Sequence, residues 1–289
     1  MEIKVLKNEE LMKFLIEKLE KQSRTNIKTL LKEGQILVNG QVQTQYNFEL
    51  KSGDTVLVDW KKNRGDKVPK GIKVIFEDKD IIVVEKESGI LSISTDSKKK
   101  ERTVYSLLMD YVKNKDKKER IFIVHRLDKD TSGVMLFAKT EDIKNKLQEN
   151  WKNLVIEREY SVVVEGVVKE KKGQIKSYLK ENKAFMTYSV KDDKTGGKLA
   201  ITNYTVEKIK GKYTFLKAFL ETGRKNQIRV HMSDKGFPVV GDKKYGAATN
   251  PIKRLALHAS TIKFTHPTTQ KIMSFTSEIP KEFKRLIGE

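Results

Sequence analysis

Ile121-Phe122-Ile123-Val124-His125-Arg126-Leu127-Asp128-Lys129-Asp130-Thr131-Ser132-Gly133-Val134-Met135-Leu136-Phe137-Ala138 reads as strand, polar turn, strand. An apolar run enters the turn, a glycine closes it, and a second apolar run leaves it. Polar residues at a strand end are where a scaffold presents reactive groups. An aspartate in a turn also serves as a plain hydrogen-bonding residue. Position alone leaves Asp128 open between those two roles.

Outward from this segment, strand-like runs continue to alternate with short helices. A helix is predicted over Glu141 to Asn150, and strands at Tyr160 to Val164, Tyr204 to Val206, Tyr213 to Leu220, Ile228 to His231 and Ser260 to Phe264. Upstream, Val74 to Phe76 and Ile81 to Val84 read as strands around the turn Glu77 to Asp80. Strands outnumber helices, and the two do not alternate regularly. That argues against a doubly wound parallel fold and predicts an α+β domain on a mixed, largely antiparallel sheet.

The first sixty residues read as a separate small α+β module. Asn8 is predicted to cap a helix with Glu9 and Glu10 in its first turn and Leu11, Phe14, Leu15 and Leu19 on one face. A second helix is predicted from about Thr25 to Gly34, with Ile27, Leu30 and Leu31 inward. A strand over Gln35 to Val38 then meets Asn39-Gly40, a strong hairpin signal, and Thr55 to Trp60 makes another strand. The stretch 61–73 is basic and poor in apolar residues, a linker composition. The expected division is 1–62, a linker over 63–73, and a larger domain over 74–289.

The 289 residues carry 59 Lys and Arg against 39 Asp and Glu, a net charge of +20. So basic a chain favours a polyanionic partner, since each phosphate contact releases counterions. Cysteine is absent, which excludes disulfide and thiolate chemistry and fits a cytoplasmic protein. No apolar run reaches the roughly 18 residues of a membrane span. There is no GxxxxGK[ST] phosphate loop, no GxGxxG fingerprint, and no G-x-S-x-G elbow around Ser132. The four histidines, at 125, 231, 258 and 266, lack metal-ligand spacing. Neither a cofactor nor a metal is therefore expected.

Two stretches carry resemblances. The paired helices, Ile36-Leu37-Val38-Asn39-Gly40 and Leu50-Lys51-Ser52-Gly53-Asp54-Thr55-Val56 are similar to an S4 RNA-binding domain. In that family the second helix and the loop before it face RNA, which maps onto Arg24, Lys28 and Lys32. His125-Arg126-Leu127-Asp128, followed by Thr131-Ser132-Gly133, resembles the signature of the RluA family of pseudouridine synthases. The resemblance makes Asp128 the catalytic carboxylate and implies that the larger domain has the pseudouridine synthase fold.

Further family segments follow in order. Glu157-Arg158-Glu159-Tyr160 makes Tyr160 the residue that packs on the target base. Leu220 to His231 makes Arg229 the partner of the catalytic carboxylate, through a pairing that could be bidentate. Arg126 could fill the space left by an extruded uridine or contact a phosphate. The segments 236–238, 241–246 and 254–259 match as scaffold, and His125 is read as structural. Two departures stand out: Asn226 replaces the family's usual histidine, and Lys86-Glu87 stands where many members have Lys-Pro.

The resemblance implies conversion of uridine to pseudouridine in structured RNA, most readily large-subunit ribosomal RNA, by a cytoplasmic monomer needing no cofactor. Transfer RNA is an alternative substrate, and a non-catalytic RNA-binding protein an alternative function. A methyltransferase would need a glycine-rich loop that the sequence lacks. A glycosidase using Asp128 and Asp130 would leave the basic charge unexplained.

Overall fold

The computed structural model describes residues 1–32, 34–60, 68–94 and 101–288. Contacts divide the chain into two compact units, one of residues 1–67 with 111–118, the other of 68–110 with 119–289. No helix among the described residues is long and apolar enough to cross a membrane.

In the first unit, β1 (Glu2–Lys4), β2 (Glu9–Glu10), α1 (Leu11–Lys18), α2 (Arg24–Lys32), β3 (Ile36–Val38), β4 (Gln41–Val42), β5 (Glu49–Leu50) and β6 (Thr55–Val58) follow in order. The sheet order is β1-β6-β3-β4, with β2 and β5 forming a separate pair. Leu11, Phe14 and Leu15 of α1 and Ile27, Leu30 and Leu31 of α2 pack with Ile36, Val56 and Val58 into one core. Asn39 and Gly40, both at positive φ, turn β3 into β4 as their sequence predicts.

The predicted Asn8 cap is corrected. Glu10 is the N-cap of α1, without a side-chain cap bond, and the Asn8 carboxamide oxygen instead accepts the Ser52 N–H at 2.8 Å. The two glutamates pair with β5 rather than opening the helix. Of the linker expected over 63–73, residues 63–67 lie outside the described residues.

The second unit contains β7 (Ile72–Glu77), β8 (Ile81–Lys86), α3 (Val104–Lys115), β9 (Phe122–Ile123), β10 (Ser132–Ala138), α4 (Glu141–Glu149), α5 (Trp151–Leu154), β11 (Val155–Glu165), β12 (Lys172–Glu181) and β13 (Thr187–Val190). After these come β14 (Lys198–Lys210), β15 (Tyr213–Leu220), α6 (Gln227–Asp234), a short 3-10 turn, β16 (Leu257–Thr265), β17 (Ile272–Thr276) and α7 (Lys281–Leu286). The last residues of α3 group with the first unit.

The main sheet runs β13-β12-β14-β15-β11-β16-β10-β8-β7, with β17 on β16 and β9 on β10. Among the described strands only β10 and β16 pair in parallel, so the fold is α+β with a mixed, largely antiparallel sheet. Val134, Leu136 and Ala138 alternate onto one face of β10, where Ile143 and Leu147 of α4 cover them. Thr140 caps α4 by accepting the Ile143 N–H, and Glu141 and Asp142 suit the positive end of its dipole.

The strand predicted at Ile228 to His231 is a helix, α6. Its alternating Ile-Arg-Val-His mimics a period of two. Tertiary packing decides otherwise: Ile228 and Met232, four apart, join one core cluster while Val230 joins another. Gly236, at φ 81° beyond the helix end, is the stop signal that the periodicity overrode.

Candidate active site

The turn bearing Asp128 is pinned on every side. Ser92 Oγ, buried, donates to the Leu127 carbonyl at 2.7 Å and accepts the Leu127 N–H at 3.1 Å. Gly89 N–H and Lys86 Nζ both donate to the Lys129 carbonyl, and Ser88 Oγ donates to that of Asp130. His125 Nε2 accepts the Leu136 N–H at 3.0 Å, and burial pushes this histidine down to about 3. A neutral acceptor so engaged is structural. Arg254 donates to Ser132 Oγ at 2.6 Å, and that hydroxyl lies 2.8 Å from His258 Nδ1.

Gly133 shows why the turn closes on glycine. A Cβ there would lie 2.1 Å from the Ala259 carbonyl oxygen, and φ is 118°. Strand register then sets the neighbours. Gly133 of β10 stands opposite Ala259 of β16, and Ala259 stands opposite Tyr160 of β11. One row across three strands thus brings Tyr160 beside the turn. Its hydroxyl is pushed up to about 12 by burial, opposed by Arg158 and reinforced by Asp128. It is a phenol at neutral pH, an aromatic face with a proton to donate.

The other wall is the start of α6. Asn226, the N-cap residue, is left-handed (φ 54°), a conformation asparagine tolerates better than most residues. Its backbone N–H helps to hold the Asp128 carboxyl down. Its side chain accepts from Arg229 Nη1 at 2.8 Å and donates to the Tyr245 hydroxyl at 3.0 Å. Arg229 also lies over the Tyr245 ring, 4.8 Å from its centroid.

Burial raises the Asp128 carboxyl above the usual carboxylate range, while Arg229, Arg126, the Asn226 N–H and Lys225 pull it back. Its side chain keeps 22% exposure, enough to be reached. A second buried charge lies behind the turn: Lys86, fully covered, is pushed down to about 7 by desolvation, which Asp130 and Asp128 oppose. Among the described residues no group of three or more His, Asp or Glu is placed to hold a metal ion.

Comparison with known proteins places these features in a family. The RNA pseudouridylate synthase family matches residues 80–234, and the S4 domain family matches 11–56. The uncharacterized RNA pseudouridine synthase YlyB of Bacillus subtilis is 32% identical, covering 97% of this chain and 94% of its own. The chain belongs to the RNA pseudouridylate synthase family. Ribosomal large subunit pseudouridine synthase D of Pasteurella multocida is 29% identical over 92% of this chain and 86% of its own. Human RNA pseudouridylate synthase domain containing 4 shares the fold, with a TM-score of 0.59 at 22% identity over 73% of this chain and 89% of that one. The protein is thus an RNA pseudouridine synthase of the RluA type with an S4 domain.

Within this synthase, Asp128, Tyr160 and Arg229 converge, and Arg126 stands exposed two residues before the carboxylate with its charge felt there. The expected bidentate pairing needs correcting. Arg229 gives its fork to Asp242, with Nε to Oδ2 at 2.6 Å and Nη2 to Oδ1 at 2.7 Å. Only Nη1 faces Asp128, at 4.0 Å. Burial works against the Arg229 charge, but Asp242 and then Asp128 hold it above the usual arginine range. Arg229 is therefore a preset cation with one edge turned to the carboxylate.

Asp242, Asn226, Tyr245 and Lys86 went unrecognised in the sequence as parts of this site. Gly241 is a signal for the first: a Cβ there would meet the Arg254 carbonyl at 2.2 Å, which fixes the backbone next to Asp242. Arg24, Lys28 and Lys32 lie in the other unit, exposed on α2.

Proposed function

We propose that this enzyme isomerises uridine in large-subunit ribosomal RNA with Asp128 as the catalytic carboxylate and without a cofactor. The observation that carries the reading is the edge of Arg229 turned to Asp128 at 4.0 Å, beside Tyr160. The N1–C1′ bond breaks and a C5–C1′ bond forms. C5 loses its proton and N1 gains one, so atoms and electrons balance internally. Attack on C1′ and removal of a sugar proton are both open to a carboxylate so held.

Tyr160 offers its ring to the uracil, and its hydroxyl, a phenol, can donate but not act as a ready base. The target base must leave its stack, and Arg126 can fill the vacated space with a flat cation. Arg229 keeps Asp128 available as the anion, against the desolvation that favours its protonated form. Arg24, Lys28 and Lys32 take RNA phosphates through the S4 domain. The large-subunit target is supported by the names of the relatives from Pasteurella and Buchnera. The enzyme works in the cytoplasm as a monomer, a reading that the absence of cysteine suits.

The test is carbodiimide mapping of pseudouridine in ribosomal RNA from cells with and without the gene, complemented by wild type or Asp128→Asn. The expected result is one or more large-subunit sites lost on deletion and restored by the wild type only. Restoration by Asp128→Asn would remove the carboxylate from the mechanism. A lost site in transfer RNA would replace the substrate.

A further inference from the structure

Large apolar side chains of the catalytic unit are mostly covered, but Phe185 is 71% exposed at the tip of the β12–β13 hairpin. Its backbone is left-handed (φ 58°), a conformation that a bulky residue adopts only where its surroundings impose it. Asn182 imposes part of it, its carboxamide oxygen accepting the N–H groups of Ala184 and Met186. Lys244 Nζ adds a hydrogen bond to the Phe185 carbonyl at 3.1 Å. The fold spends these contacts on holding a ring out in water.

Two links tie this ring to the site of Asp128. Lys225 Nζ lies 5.4 Å from the Phe185 centroid and is ion-paired with Glu181 of the same hairpin. Lys225 directly precedes Asn226, and its charge is felt at the Asp128 carboxylate. The first residue of β13, Thr187, donates its N–H to the Tyr245 hydroxyl at 3.3 Å. That hydroxyl also accepts from Asn226, and the Tyr245 ring lies under Arg229.

The charge around the ring identifies what it meets. Lys183 and Lys244 are exposed beside it, and Lys225, also exposed, is ion-paired with Glu181. An aromatic face set among cations matches a nucleic-acid strand, whose bases stack and whose phosphates need positive charge. We propose that Phe185 stacks on an unpaired base flanking the target uridine, with Lys183 and Lys244 on the adjoining phosphates. The proposal rests on Asp128 marking where the target lies. It makes the hairpin a specificity element, since a base locked in a duplex has no free face to offer.

The test is binding of a transcript of bacterial large-subunit ribosomal RNA to the full-length protein at about 50 and 200 mM salt. Base–aromatic stacking predicts that Phe185→Leu weakens binding about 5- to 150-fold. The factor should be similar at both salt concentrations, because no charge is removed. Phe185→Trp should bind within about twofold of wild type, whereas Lys244→Ala should flatten the salt dependence. Wild-type binding by Phe185→Leu, or a Trp variant no better than Leu, would overturn the proposal. So would loss of self-association on sedimentation of the Leu variant with RNA affinity unchanged, which gives the ring a protein partner. Binding needs no turnover, so the assignment of Asp128 fails or stands separately, by the mapping experiment above.

Discussion

Behind Asp128 the charges of Arg229, Asp242 and Lys86 are buried with fixed partners, whereas on α2 of the S4 domain Arg24, Lys28 and Lys32 stand exposed outside the packed face of Ile27, Leu30 and Leu31. Both regions are proposed to meet RNA, but the same kind of residue has a different physical weight in each. A buried charge must be compensated locally, so losing it or its partner has a large effect. An exposed cation is screened and mobile, so its loss is small and adds to others of its kind.

The sharpest break in that comparison is Asp128→Asn. Turnover should fall on the order of 10⁴-fold or more, as for other residues at the reacting atoms. RNA affinity should barely change. The sign on stability runs opposite to that on activity. The folded-state carboxyl is raised above its unfolded value, so ionising it costs more in the fold than out of it. The neutral amide removes that cost, and thermal melting near pH 7 should rise. A fall in melting temperature would mean that the charge supports the fold instead.

Next in size is Asp242→Asn, which leaves Arg229 buried without its forked partner. Breaking a buried pair from one side costs about 3–5 kcal/mol. Denaturant unfolding should show that loss together with reduced turnover, because the edge facing Asp128 is set by the fork. Arg229→Lys should lose turnover too, since an ammonium cannot hold Asp242 in two places and still face Asp128.

Lys86→Met is a subtler break, because it acts on the turn from behind. Removing a buried donor to the Lys129 and Glu87 carbonyls should cost about 1–3 kcal/mol. The loss should depend on pH. In the fold Lys86 has its value pushed down to about 7, while the unfolded chain keeps it near the ordinary lysine value. Between those values the unfolded state binds more protons, so the stability Lys86 contributes rises with pH. The gap between wild type and variant should therefore be wider at pH 9 than at pH 7, and an equal gap at both would deny the shift.

How much of this was legible depends on whether a residue's role is local. The strand over Tyr213 to Leu220 was readable to its ends, because its run of apolar and aromatic residues decides its own conformation. The Asp128 turn was readable because its residues are contiguous. Helix α6 was not, since Ile228-Arg229-Val230-His231 fits either period and only the surrounding core clusters choose. Asp242 was illegible for a similar reason: thirteen residues from Arg229 in sequence, it meets it only through folding. Lys86 read only as part of Lys86-Glu87, where many family members have Lys-Pro, and nothing local announces that it is buried.

The smallest expected effect tests the other side of the comparison. Lys28→Ala with Lys32→Ala removes two exposed cations, and the core residues of α2, Ile27, Leu30 and Leu31, keep their packing. Melting temperature should stay put. If both lysines meet phosphates, the slope of log affinity against log salt should fall by about 0.7–0.9 for each phosphate no longer neutralised. At low salt KM for ribosomal RNA should then rise several-fold with kcat intact, and at high salt the two proteins should converge. A drop in kcat would give the S4 domain a share in shaping the reacting site, and the division between buried chemistry and exposed capture would have to be redrawn. An unchanged slope would move the capture surface off α2, leaving the other basic side chains of the chain to account for it.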